Sequence, residues 1–181
     1  MAELDLHYVN ELIGVRQEQH GGGVGAPAVI NGHRVGASIN RSCMVMLAAL
    51  LQSFVEDVFQ EASVELLGID DAVQDEYRKS FSRWGNPSDT NIKSLFLRLG
   101  VEDVLDDLSW QRTTNQRIRE NLRSLNELRN QIAHGRRDLR LNNARYSLSL
   151  AEVIRFRNFV WNFANRFQGH VRWMLELDED E

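Results

Sequence analysis

The sequence predicts an all-α protein, an up-and-down helical bundle carrying an insert of short helices. Three observations support this. Apolar residues recur at helical spacing through several long segments, capping residues and stop-signal glycines fall at their ends, and only two prolines and a few strand-like stretches occur, which argues against an all-β fold. At 181 residues, 43 % hydrophobic and 26 % charged, the chain has the size and composition of one globular domain with a substantial core.

Residues 3–19 form a weakly patterned helix with Leu4, Val9, Leu12, Ile13 and Val15 as its apolar members. The stretch HGGGVGA (20–26) breaks it, and Asn31-Gly32 marks a turn. These glycines are not a phosphate loop, because no Gly-Lys-Ser/Thr follows and no strand precedes them. Residues 1–37 therefore read as an N-terminal helix and Gly-rich connector; a gating role for glycines 21–25 stays open. From about Ile39 to Leu67 runs a long helix. Cys43 to Leu51, then Phe54, Val55, Val58 and Phe59, make it apolar around most of its circumference, which places it at the centre of the bundle. Gly68 stops it, and Asp70-Asp71 opens a short helix over 72–84.

Gly85-Asn86-Pro87 is a break, after which Asp89 or Thr90 caps a helix carrying Ile92, Leu95, Phe96 and Leu99 that ends at Gly100. Val101 to Leu108 is a further short helix leading to Trp110. Thr113 or Thr114 opens a helix with Ile118, Leu122, Leu125, Leu128 and Ile132 on one side, ending at His134-Gly135. The last helix begins with a capping box, Ser149 with Glu152, and runs to about Leu175 with Val153, Ile154, Phe156, Phe159, Val160, Phe163, Phe167 and Val171 inward. The helical domain is thus 38–176, followed by an acidic tail at 177–181.

The longest apolar run, Cys43 to Leu51, is nine residues, against the roughly 20 needed to span a bilayer. The N-terminus carries Glu3 and Asp5 where a secretory signal would be basic, and the single Cys43 can form neither an internal disulfide nor a zinc site alone. The expectation is a cytoplasmic chain with no membrane partner and Cys43 packed in the core. His7, His20, His33 and His170 show no ligand spacing and read as solvated or loop residues, so neither metal nor cofactor is expected.

The net charge of −5 is unevenly spread. Between Arg112 and Arg145 nine arginines face three acids, a local +6, which leaves −11 for the remainder. Such a distribution fits a localised anion-binding surface on an acidic body. It fits equally an arginine-preferring composition, since the chain has 19 arginines and two lysines.

The informative segment is LRNQIAHG (128–135). With Leu125 at zero on a helical wheel, Arg129 falls at about 40°, inside the apolar arc. A cation facing a core needs a carboxylate or an anion. Glu56 or Asp57 on the apolar helix could supply the carboxylate, or both could be surface residues. His134 lies about 140° from Arg129 on a regular helix, so the two meet only if the helix end deforms, if the arginine bends, or if a symmetric partner supplies one of them. Helix geometry alone also permits a bland role, with His134 complementing the macrodipole and Gly135 ending the helix.

The stretch RNQIAHG resembles the R-x4-H motif of the HEPN superfamily. The helix INRSCMVMLAALLQSFVEDVFQEAS, the segment GNPSDTNIKSLFLRLG with VEDVL and SW after it, and the closing SLSLAEVIRF are similar to the RiboL-PSP branch of that superfamily, over roughly 38–175. This resemblance implies a HEPN-like bundle whose homodimer brings two motifs into one cleft. It also implies metal-independent endoribonuclease activity, commonly in toxin–antitoxin or antiphage systems, with RNA as substrate and a cognate antitoxin protein as a further partner. Arg129 and His134 match the motif pair, and Asn130 the polar residue that often follows the arginine. Some relatives carry a tyrosine two residues after the histidine that a nucleotidyltransferase modifies; here Arg136 stands at that position.

The residue types suit that chemistry. Attack of a 2′-OH on the adjacent phosphate needs a proton removed, a proton donated and charge stabilised. An imidazole can make either transfer near neutral pH, and a guanidinium offers fixed donors to phosphate oxygens. Asn130 could orient the phosphate or the imidazole. Arg136, Arg137 and Arg140 come directly after the motif, either as phosphate contacts or as an exposed basic loop. Alternatives to the nuclease are a non-catalytic module holding RNA, a nucleotide or a protein in the same cleft, and a purely structural dimer.

Overall fold

The computed structural model describes residues 2–19, 21, 28–68, 79 and 84–176. Its elements run α1 (His7–Gln19), β1 (Val29–Ile30), β2 (His33–Arg34), α2 (Ala37–Leu67), α3 (Asp89–Phe96) continued by a 3-10 turn Leu97–Leu99, α4 (Asn115–Ala133), β3 (Leu139–Leu141), β4 (Ala144–Tyr146) and α5 (Leu150–Met174). The fold is all-α in architecture. Each strand pair is a small antiparallel hairpin, and neither joins a larger sheet.

The long α2 is the axis, packed by α1, α4 and α5. Its buried residues Cys43, Met44, Leu47, Leu51, Phe54, Val55, Val58 and Phe59 fall within one arc of about 160° around the helix, so α2 is covered on one broad side and not around most of its circumference as its apolar content suggests. By length and composition Ala37–Leu67 is apolar enough to cross a membrane, a property the count of consecutive apolar residues does not register. Half of its most apolar window is buried inside the fold against other helices, which is how a central core helix packs. On α5 the buried positions Val153, Phe156, Val160, Phe163, Phe167 and Val171 step by three and four residues, giving one continuous inner stripe. Phe96 of α3 stands edge-on to both Phe59 of α2 and Phe167 of α5, with centroids 5.3 and 5.5 Å away, and Phe163 stacks on Phe167 at 4.8 Å. The α5 phenylalanines are core. So is Cys43, whose thiol is pushed up by burial.

Several boundaries differ from expectation for local reasons. The cap of α3 is Ser88, whose hydroxyl accepts from the Asn91 amide at 3.2 Å, not Asp89 or Thr90. Asp89 is instead buried beneath Arg123. Residues 101–108 are turns, not a helix. Asp103 accepts from the Leu105 amide at 3.2 Å, an Asx-type contact that competes with helix, and Asp107 has a φ of 60°. The capping box of α5 is half formed. Glu152 N–H donates to Ser149 Oγ at 3.2 Å, but the Glu152 carboxylate faces Tyr146 and Arg155, while Ser149 N–H bonds the Ser147 carbonyl. His170 is half-buried on α5 and not solvated; burial pushes its imidazole down. The tail 177–181 lies outside the described residues, as do the expected helix at 72–84 apart from residues 79 and 84 and the stretch 20–26 apart from residue 21.

Candidate functional site

Helix α4 is capped by Thr114 Oγ1, which accepts from the Arg117 amide at 3.3 Å, and buries Ile118, Leu122, Leu125 and Leu128. Its C-terminal end is a Schellman motif built on Gly135. At a φ of 70° that residue lets Arg136 N–H reach back to the Gln131 carbonyl and Gly135 N–H to that of Ile132, both at 2.9 Å. His134 is the C-cap, exposed, with its backbone N–H still bonded to the Asn130 carbonyl at 3.0 Å. The helix therefore stays regular up to the histidine, and its end does not unwind to swing His134 toward Arg129. The imidazole makes no hydrogen bond among the described residues.

Arg129 is half-buried, as its place in the apolar arc requires, but Glu56 does not neutralise it. Glu56 Oε1 accepts from the Trp84 indole at 2.6 Å and from Gln52 at 3.1 Å, so its oxygen is committed elsewhere. Arg129 meets an amide. Its Nη1 donates to Asn130 Oδ1 at 3.1 Å, and the same oxygen accepts from Asn86 Nδ2 at 2.9 Å. Because a guanidinium can only donate, this pair of contacts fixes which way the Asn130 amide points. Asn130 thus contacts Arg129 and makes no hydrogen bond to the His134 imidazole of its own chain. Among the described residues no carboxylate pairs with Arg129, so its charge stays available to an external anion.

Asn86 is the residue that sequence reading missed. It sits in the Gly-Asn-Pro break, anchored on one side by Trp84 on Glu56. On the other, Asn91 Nδ2 donates to its carbonyl at 2.7 Å. An Asn-Pro dipeptide announces a turn, but nothing in it points to α4, 44 positions away.

The segment after His134 is held in place on two sides. Arg41 of α2 donates to the carbonyls of Arg136 and Arg137 at 2.7 and 2.5 Å. Gln131 brackets Arg140, its Nε2 donating to the Arg140 carbonyl at 2.7 Å and its Oε1 accepting from the Arg140 amide at 2.9 Å. Arg140 itself belongs not to a loop but to the β3–β4 hairpin, turned by Asn142 and Asn143 at φ of 51° and 64°, as a two-residue I′-type turn demands. The base of the hairpin is tied to α5 by the Tyr146 hydroxyl on the Glu152 carboxylate; burial and that bond push the phenol up to about 12. Arg136, Arg137 and Arg140 are exposed and meet no carboxylate among the described residues. Arg145, directly opposite Arg140 across the hairpin, pairs with Asp138 at 3.2 Å. Among the described residues no cluster of three His, Cys, Asp or Glu side chains could hold a metal ion.

The arrangement is therefore a half-buried guanidinium set by two amides, an exposed imidazole one turn further on, and beyond it a strip of arginines that meet no acid among the described residues. No curated protein and no solved structure matches the chain. A family model does match, over residues 66–172, a span that takes in α3, all of α4 with its His134 end, the second hairpin and nearly all of α5. With more than half of its length matched, the chain belongs to the RiboL-PSP-HEPN family.

Proposed function

We propose that this chain is a metal-independent endoribonuclease of the HEPN type, acting as a toxin or defence effector, with its site shared across a homodimer. The observation that carries this reading is Arg129. Its guanidinium is half-buried, aligned by Asn130 and Asn86, and left without a carboxylate among the described residues, which suits a group that meets a phosphate. The regular helix end adds to this. Arg129 and His134 lie about 140° apart around α4, so a phosphodiester touching both kinds of group is best served by two chains. Two copies of His134 then provide a base for the 2′-OH and an acid for the 5′-oxygen leaving group, while Arg129 stabilises the charge on the phosphorane. Arg136, Arg137 and Arg140 contact the flanking backbone.

The test is incubation of the purified protein with RNA in the presence of chelator. Cleavage leaving 2′,3′-cyclic phosphate ends, lost in both His134→Ala and Arg129→Ala with fold and dimer intact, is the expected outcome. General acid–base groups contribute about 10²–10⁴-fold, so the histidine variant should fall by that order. Strict metal dependence would overturn the mechanism. RNA binding without cleavage would instead favour a non-catalytic module.

A further inference from the structure

Arg16, in the last turn of α1, is 2 % exposed, and its buried Nε and Nη1 meet no acceptor among the described residues. A guanidinium withdrawn from water is costly without an anion. Its surroundings make the situation worse. The side chain lies across Gly36, where a Cβ would stand 2.1 Å from Nε and 2.5 Å from Cζ, so only glycine leaves it room. Gly36 is the N-cap of α2, held at a φ of 78° with no side-chain cap, and the first turn of α2 contains no acid. The amides of Ala37, Ser38 and Ile39 have no acceptor among the described residues, and the first to bond back is Asn40, to the Gly36 carbonyl at 3.1 Å. A buried cation thus sits at the positive end of a 31-residue helix, the end where anions and not cations are stabilised. Neither Glu11 nor Glu18 pairs with it among the described residues, and the sequence from Glu18 to Glu56 contains no further Asp or Glu.

We propose that the N-terminus of α2 and the Arg16 guanidinium together form a binding site for a single phosphoryl group. Three amide donors and two guanidinium nitrogens suit a tetrahedral anion with several acceptor oxygens better than a carboxylate with two. The site is separate from Arg129 and His134. It stands at the same end of the bundle as the 136–137 segment, which Arg41, one turn along α2, holds.

The test is titration of the full chain with inorganic phosphate, read by thermal unfolding and by the backbone amide resonances of Ala37, Ser38 and Ile39. Wild type should gain about 5 °C in Tm at a hundredfold excess over Kd, with saturable shifts of those amides. Arg16→Met should lose the specific gain while unfolding no earlier than wild type in phosphate-free buffer, since an unpaired buried cation has been removed. Equal gains in both proteins, or amides that move with neither inorganic phosphate nor a 5′-phosphorylated oligoribonucleotide, would overturn the proposal. Should Arg16→Met fail to fold, the wild-type amide titration decides alone. A 5′-phosphorylated oligoribonucleotide beside its 5′-hydroxyl counterpart separates the sources: amide shifts with the former alone assign an RNA end, shifts with inorganic phosphate alone a small anion, and shifts with neither reject the site. Because the readout is binding, it stands or falls independently of RNA cleavage.

Discussion

The two ends of α4 carry the same residue type in opposite circumstances. Toward the N-terminus, Arg119 pairs with Asp103 at 3.1 Å, and Arg123 sets Nε and Nη2 on one oxygen of the buried Asp89 at 2.8 and 2.5 Å. Toward the C-terminus, Arg129, Arg136, Arg137 and Arg140 have no carboxylate among the described residues. Within the local excess of positive charge two groups therefore stand apart: Arg119 and Arg123 fasten the 101–108 segment and α3 to α4, whereas Arg129, Arg136, Arg137 and Arg140 meet no acid among the described residues. Arginine content alone does not mark a nucleic-acid surface, and which arginines lack acids is the sharper criterion.

Exchanging the consequences of the two ends is the strongest way to break this comparison. Arg129→Ala should lower RNA cleavage by about 10²–10³-fold with little change in Tm, whereas Arg123→Ala should leave the Asp89 carboxylate buried and alone. Because the Arg123 side chain is 61 % exposed, that loss is discounted for solvent screening to about 2 kcal/mol, or several degrees in Tm. If the unfolding temperature follows Arg129 and cleavage follows Arg123, the division is wrong.

Asn86→Ala sharpens it further. Removing one of the two donors on Asn130 Oδ1 loosens the guanidinium without touching RNA, and cleavage should fall roughly tenfold, chiefly in kcat. Next in size, Arg136→Ala, Arg137→Ala and Arg140→Ala should each weaken RNA binding a few-fold. Each should also reduce the dependence of log K on log salt by about 0.7, the value for one single-strand phosphate contact. Arg117→Ala, whose partner is Glu120, should do neither.

The smallest effect concerns pH. Burial raises the Asp103 carboxyl, but the Arg119 hydrogen bond, the Leu105 amide and the charges of Arg119 and Lys93 outweigh it and hold the group below its ordinary 3.8. A depressed folded value gives stability that is complete above about pH 4 and is lost as pH falls through the folded value. Asp103→Asn should remove that part of the acid transition, about 1 kcal/mol, without altering cleavage near neutrality.

Much of this was legible in the residues. The apolar periodicity of α2, α4 and α5, the Thr114 and Ser149 caps and the Gly135 stop are local signals, and local signals survive folding. The placement of Arg129 in the apolar arc was equally readable. What was not readable depends on tertiary contact. Asn86 meets Asn130 from 44 positions away, and Glu56 accepts from Trp84 and Gln52 in place of Arg129. Arg16 looks like a surface residue until Gly36 closes over it. The β3–β4 hairpin was missed differently. LRL-NN-ARY has a short alternation about two asparagines that tolerate positive φ, but three-residue strands are weak against a basic loop.

The central claim is that paired subunits bring Arg129 and His134 to one phosphodiester. The most direct measurement is an experimental structure of the homodimer with an RNA whose reactive 2′-OH is replaced by hydrogen. One phosphate should be flanked by the His134 rings of the two chains and held by an Arg129 guanidinium. Imidazoles on separate outer surfaces, with RNA bound away from both motifs, would contradict it.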